Sequence, residues 1–353
     1  MSILAEVRKR DAYLDIVKGV AIIAVAFGHC IQFGSGDEFL KGDFFYNDVF
    51  RFIYSWHMPL FMLVSGYLFS FSVNRHDWSS LLKSRFKQLL LPMLSWSLLI
   101  AIVLRTLGGD ISPFLNSVGK HFLNDIWFLW AIFYNSIVVL LVRRYLADRL
   151  GVYLVLFILT FVTPDILNAG LYKFMYPFFV TAYLYGAGKL PWLSEIISRF
   201  SQQRMLMVVI VIYGFLFSMY GYYAYIYTSG YVIGGFRSHT IMSWKFWNDM
   251  YRMLIGFTGS AMIMLFLRLA YDSSRTKLGM VWKMLQKIGI ASLAIYIISG
   301  YMNGLVLPKI CGSFELDYAV TLLESVVVII ICYGGFWLIR KQDYANRFLL
   351  GGR

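Results

Sequence analysis

Apolar runs of about 15–25 residues recur along the whole chain, broken by short polar stretches, which matches the thickness of a bilayer's hydrocarbon layer. Read this way, the sequence predicts spans near 14–34, 50–72, 88–107, 124–142, 150–164, 173–190, 205–228, 250–270, 288–308 and 318–339. The expected fold is therefore an all-α integral membrane protein of about ten transmembrane helices. No Pro/Gly/Ser-rich linker or low-complexity tract interrupts the alternation, so residues 1–353 are expected to form a single polytopic domain. No internal repeat is evident, which argues against the paired halves of many secondary transporters.

Composition sharpens this picture. Of 353 residues, 59% are hydrophobic, 18% aromatic and only 14% charged, and the mean hydropathy is +0.65. Such a chain is too apolar for a soluble domain. The formal charge of +13 points to topology, with no nucleic acid expected as a partner, because the cations gather between apolar runs. With both termini placed in the cytoplasm, 23 of the 32 Lys and Arg residues fall on alternate, inner segments. Among them are Arg8, Lys9 and Arg10 before the first span and Arg353 at the other end of the chain. The N-terminal stretch shows no small-residue cleavage motif, so the first span is expected to stay attached. Cys30, Cys311 and Cys332 have no paired spacing, and neither a disulfide framework nor a metal site is expected. The longest outer connections, near 35–49, 108–123 and 229–249, are rich in Gly, Asp, Asn, Tyr and Phe. That mix suits a sugar-facing surface, and aromatic residues also suit an ordinary bilayer interface.

Candidate chemistry sits where the apolar pattern is broken. The first span, "RDAYLDIVKGVAIIAVAFGHC" (residues 10–30), carries Lys18 and His29. Eleven residues at 100° each bring the two within about 20° on one helix face, some 16 Å apart along the axis. Asp15 lies three residues before Lys18, the spacing of an ion pair that makes a lysine less costly to hold. Lys18 also fits a snorkelling anchor, whereas an imidazole this deep needs a partner or a water-filled cavity. The second span, "RFIYSWHMPLFMLVSGYLFS" (51–70), adds Arg51, His57, a helix-bending Pro59 and Ser65-Gly66. Here Arg51 and His57 are candidates for holding an acceptor near the outer face, Arg51 doubling as an interfacial anchor. Ser65 joins the substrate-facing candidates, while the Ser-Gly pair also permits close helix packing. Before the third span, "RHDWSSLLKSRFKQLLLP" (75–92) clusters Lys83, Arg85 and Lys87 at what reads as a helix start. Cations there oppose the macrodipole, so either positive-inside topology or a polyphosphate ligand is needed to explain them. Asp249, Arg252 and Glu324 are further polar residues in or at spans.

These segments together with "RFKQLLLP" (85–92), "IWFLWAIF" (126–133) and "IGIASLAIYIISG" (288–300) resemble the bacterial membrane acyltransferase-3 family. The likeness is greatest to its sugar O-acetylase branch, related to fucose O-acetylases of surface polysaccharide and nodulation-factor synthesis. It extends over most of the chain. The family motif of a basic residue, ten intervening residues and a histidine is met by Lys18 and His29.

The resemblance implies an inner-membrane enzyme that takes an acyl group, usually acetyl, from cytoplasmic acetyl-CoA and places it on a hydroxyl of a polysaccharide or lipid-linked sugar. His29 is then the catalytic residue, a general base or a transiently acylated group, with His57 in support. Lys18, Lys83, Arg85 and Lys87 are the expected donor-binding residues, and Asp15, Arg51 and Ser65 the expected substrate-side ones. Two departures stand out: the Arg-x-x-Arg motif reads Arg85-Phe86-Lys87-Gln88, and Ser299 stands where relatives often carry histidine. A transporter or flippase, with Lys18, His29 and His57 along a polar path, is the alternative from another functional class.

Overall fold

The computed structural model describes residues 11–34, 43–108, 112–162, 169–221, 244–306 and 318–352, and within these the chain is helical throughout, with no strand. In order the helices are α1 Ala12–Gly34, α2 Asp48–Tyr54, α3 His57–Val73, α4 Trp78–Arg85, α5 Leu91–Thr106, α6 Phe114–Asn124, α7 Trp127–Tyr145 and α8 Leu150–Val162. There follow α9 Ala169–Gly186, α10 Pro191–Arg199, α11 Gln202–Ser218, α12 Trp244–Ser274, α13 Gly279–Ile290, α14 Ser292–Tyr301, α15 Tyr318–Lys341 and α16 Asp343–Leu349. Arg8, Lys9, Arg10, Cys311 and Arg353 lie outside the described residues, as does much of the predicted outer connection near 229–249. Cys30 and Cys332 are buried, and neither is in a disulfide among the described residues.

Among the described residues, six helical segments are long and apolar enough to cross a bilayer: α1, Asp48–Val73, Trp78–Thr106, α7, Asp249–Ser274 and α15. The bent pairs α10–α11 and α13–α14, which turn by 104° and 68°, raise the number to eight if each is one span. Of the ten spans predicted from hydropathy, α8 and α9 fall outside this set. α8 is apolar but only 13 residues long, and α9, 18 residues with a buried Lys173, spends its length packed against α3.

Two expectations need correction and one is refined. The span predicted at 50–72 is present as Asp48–Val73, and the bend expected of Pro59 divides it into α2 and α3 at Ser55-Trp56. Pro59 causes this: its ring clashes with the carbonyl four residues earlier, that of Ser55. At the break the Trp56 carbonyl accepts from Leu60 N–H at 2.9 Å and from Ser260 Oγ at 3.3 Å, which ties this turn to α12. The third span starts at Trp78, ten residues before its predicted start at 88, with Asp77 as its cap accepting from Ser80 N–H at 3.2 Å. Lys83, Arg85 and Lys87 therefore sit inside a helix running from Trp78 to Thr106, and the conflict with the macrodipole at a helix start does not arise. Finally, the connection predicted at 108–123 contains the amphipathic α6.

Two features of the third span follow from its sequence. Pro92 offers no N–H, and the chain relaxes through a π turn at Phe86–Leu90, where Leu91 N–H reaches the Phe86 carbonyl. The C-terminal segment folds back onto this helix: Trp96 Nε1 donates to the Leu349 carbonyl at 3.0 Å, and Gly351, at φ 71°, rests on the backbone of Lys87 and Gln88.

α1 is the hub, packing against α2, α3, α13, α14 and α15. Its closest approach is to α13, where a Cβ on Gly19 would strike the Leu285 carbonyl and one on Gly289 would strike the Asp15 carbonyl. Backbones this near leave room only for hydrogen at both positions. α3 packs as closely on α9 through Gly66, whose missing Cβ admits the Phe179 backbone, so the Ser-Gly pair does serve helix packing.

Replacing Gly289 with alanine should force the α1–α13 pair apart and destabilise the protein by about 1–3 kcal/mol. Gly334→Ala, on α15 with nothing within 4 Å of the new methyl, should stay within about 0.5 kcal/mol of the parent. Thermal unfolding in detergent compares them, and equal midpoints for the two variants would refute the packing argument.

Candidate active site

Two cavities flank α1. The first, about 510 Å³, is lined by Val25, His29, Gln32 and Phe33 of α1, by Tyr54, His57 and Met58, and by Lys120, His121, Asp125, Ile126 and Trp127. Residues of α14 and the turn after it, including Tyr296, Gly300, Tyr301 and Gly304, complete the wall. The second, about 410 Å³, is lined by Lys18, Ser65, Phe69, Ser72, Arg85, Ser292, Phe336 and Arg340 among others. Met58 and Tyr296 belong to both linings. A thin partition of two side chains thus separates a histidine-lined space from a cation-lined one.

The placement of Lys18 and His29 on one face of α1 is realised across this partition, Lys18 lining the second cavity and His29 the first. Lys18 Nζ lies 2.7 Å from Asp15 Oδ1, the ion pair anticipated from their spacing. Asp15 is buried and lines neither of the two cavities, and its carboxylate meets the second one only through Lys18. His29 makes an edge contact with Phe33 at 6.0 Å between centroids, and its Nδ1 has no hydrogen-bond partner among the described residues. That nitrogen is enclosed, while the residue itself lines the first cavity.

His57 opens α3 directly after the helix break, and its Nδ1 lies 2.8 Å from the Ile53 carbonyl. A carbonyl only accepts, so Nδ1 carries the proton and Nε2 is left as the ring's acceptor. The ring is held from one side by Tyr54 at 4.5 Å, and the Tyr54 hydroxyl in turn contacts Gln32 Oε1 at 3.2 Å. Gly28 makes this possible, since a Cβ there would collide with the Tyr54 ring.

The three cations of the third span separate. Arg85 lines the second cavity, with its guanidinium 4.6 Å from the centre of the Phe69 ring. Lys83 and Lys87 line a different, open groove on the other side of the helix, beside Leu90, Leu94 and Phe122. Helix geometry dictates this split: two residues are about 200° of rotation, so both lysines point away from Arg85 and toward each other's side.

Other sequence candidates lie elsewhere. Arg51 pairs with Asp48 Oδ1 at 3.1 Å, donates to the Tyr220 carbonyl and lies over the Phe45 and Phe217 rings at 5.8 and 5.4 Å. It lines neither cavity, and this set of partners is that of an anchor. Asp249 and Arg252 are buried, with Arg252 4.2 Å from the Phe174 ring centre, and with Glu324 they too line neither cavity. Ser299 is fully buried and bonds back to the Tyr296 carbonyl at 3.4 Å.

Two features of the site are not evident from the sequence pattern. Arg340, in the last turn of α15, brings a third cation to the second cavity beside Lys18 and Arg85. His121 and Asp125 form a pair, Nδ1 to Oδ2 at 2.6 Å, on the wall of the first cavity. Their four-residue spacing is the available signal, hidden because α6 reads as a loop by hydropathy.

Comparison with known proteins supplies the class of chemistry. Residues 11–341 match the family model described as "Acyltransferase domain", Acyl_transf_3. The chain is 29% identical over 206 residues to the nodulation protein NolL of Mesorhizobium japonicum, covering 56% of this chain and 53% of that one. It is 30% identical over 188 residues to the NolL protein of Sinorhizobium fredii, covering 51% of this chain and 50% of the relative. The matched region thus spans about half the length of these curated relatives. No solved structure matches the chain. A family match across nearly the whole chain, on a fold with several membrane-length helices, identifies this protein as a member of the acyltransferase-3 family of membrane acyltransferases.

Proposed function

We propose that the protein transfers an acyl group, acetyl foremost, from acyl-coenzyme A on the cytoplasmic side to a hydroxyl of a surface polysaccharide or lipid-linked sugar on the outer side of the bacterial inner membrane. The observation that carries this reading is the pair of cavities meeting at Met58 and Tyr296, one lined by cations and the other by histidines. Both termini and the cation-lined cavity belong to the cytoplasmic side in this reading, in keeping with the positive-inside bias of the loops.

The second cavity suits the donor. Coenzyme A presents phosphates, and Lys18, Arg85 and Arg340 converge there from three separate helices, an arrangement fit for several phosphate oxygens at once. When bound, the donor supplies the activated thioester carbonyl. The first cavity suits the acceptor. His29 takes the proton from the acceptor hydroxyl as its oxygen bonds to the acyl carbon, and returns that proton to sulfur as the C–S bond breaks. An imidazole is apt for both halves because its unperturbed pKa is about 6.5. His57, fixed as the Nδ1–H tautomer, offers Nε2 to the same space and helps to hold the hydroxyl. Met58 and Tyr296, which line both cavities, stand where donor and acceptor would meet.

Two experiments test this function. A His29→Ala protein, inserted at the parent level, should lose transfer to its glycan by about 10²–10⁴-fold; transfer at the parent rate would remove His29 from the mechanism. Arg85→Ala and Arg340→Ala should each weaken coenzyme A binding by about tenfold, measured by titration calorimetry in nanodiscs. In the same assay, Lys83→Ala with Lys87→Ala should change it by less than about twofold, and the opposite ranking would move the donor to the Lys83–Lys87 groove.

A further inference from the structure

The pair His121–Asp125 is not used by the mechanism above; its i, i+4 spacing and the place of His121 in the last turn support α6, but Asp125 does not. Asp125 stands at the C-terminal cap of α6, where its carboxylate places negative charge at the negative end of the macrodipole. The pair is nonetheless firmly set. Asp125 N–H donates to the His121 carbonyl at 3.2 Å, and Trp130 Nε1 donates to the Phe122 carbonyl at 2.7 Å, tying the end of α6 to α7. His121 is buried, while the Asp125 side chain keeps 31% of its exposure, and both line the first cavity with Lys120 and Trp127.

Resting on the acyl-transfer reading, we propose that His121 and Asp125, with Trp127, form the acceptor subsite and grip a carbohydrate through hydroxyls beside the one that is acylated. The chemistry fits a polyhydroxyl ligand. With Nδ1 committed to the carboxylate, His121 offers Nε2 to a hydroxyl, and the carboxylate retains acceptor capacity for hydroxyl donors. Trp127 supplies a flat apolar face of the kind that packs on the C–H side of a sugar ring. The pair is a positioning device: it sets which hydroxyl reaches His29.

The test uses the full chain in nanodiscs, acetyl-CoA as donor, and as acceptor a glycolipid and polysaccharide extract from a strain lacking the gene. Steady-state transfer is followed against extract and donor concentration for the parent, His121→Gln, Asp125→Asn and Asp125→Glu. The expected result is an acceptor KM raised about tenfold or more in His121→Gln and Asp125→Asn, a donor KM within about twofold of the parent, and partial rescue by Asp125→Glu. Unchanged acceptor KM would overturn the subsite, as would a fall in kcat alone, which assigns the pair to proton transfer. Parallel rises in both KM values, or a lowered unfolding temperature without the acceptor effect, would mark a structural role and equally overturn it. If the parent itself shows no acetyl-CoA-dependent transfer, the acyl-transfer reading fails instead, and the two failures are told apart.

Discussion

The structure depends on how closely α1 lies against α13. Gly19 and Gly289 face backbone carbonyls across that contact, Leu285 and Asp15 respectively, with no room for a methyl group on either. In a bilayer, helices gain little by burying apolar side chains from lipid, so close van der Waals packing and polar contacts must hold them together. The glycine contact is that packing, and it fixes α1 in position and rotation. Everything on the helix's polar face inherits its place from there.

On and around α1 lies a set of ionisable groups that a bilayer tolerates poorly. Each costs about 2.5–3.5 kcal/mol at the centre of a membrane helix on insertion scales, and each here has a local answer. Lys18 pairs with Asp15, Arg85 lies on Phe69, His57 donates to Ile53, and His121 pairs with Asp125. His29 differs, with an Nδ1 that finds no partner among the described residues in a cavity wall. A buried ring nitrogen without a partner is a cost borne by the fold.

Much of this is legible in the amino-acid pattern, for reasons tied to particular residues. Hydropathy reveals long apolar helices, and the 100° step alone puts Lys18 and His29 on one face. The spacing of Asp15 and Lys18 encodes their ion pair. Hydropathy fails where charge and helix coincide: Lys83, Arg85 and Lys87 depress the apolar signal, which hides the first ten residues of the third helix. It fails again at α6, whose polar face makes it look like a loop and so conceals the i, i+4 relation of His121 and Asp125. The break at residue 55 is legible in Pro59, which acts four positions upstream of itself. Arg340 is out of reach for another reason: its part in the second cavity comes from a helix more than 250 residues away from Arg85 in sequence, and no local pattern encodes that.

A cation-lined cavity and a histidine-lined cavity meet at Met58 and Tyr296, and the proposed acyl transfer takes place at this junction. An electron cryomicroscopy map of the protein with a non-hydrolysable acyl-coenzyme A analogue tests that most directly. The predicted result is phosphate density among Lys18, Arg85 and Arg340, with the acyl carbonyl between Met58 and Tyr296 and within reach of His29. Density for the nucleotide along Lys83 and Lys87, or an acyl end that stops short of the partition, would contradict it.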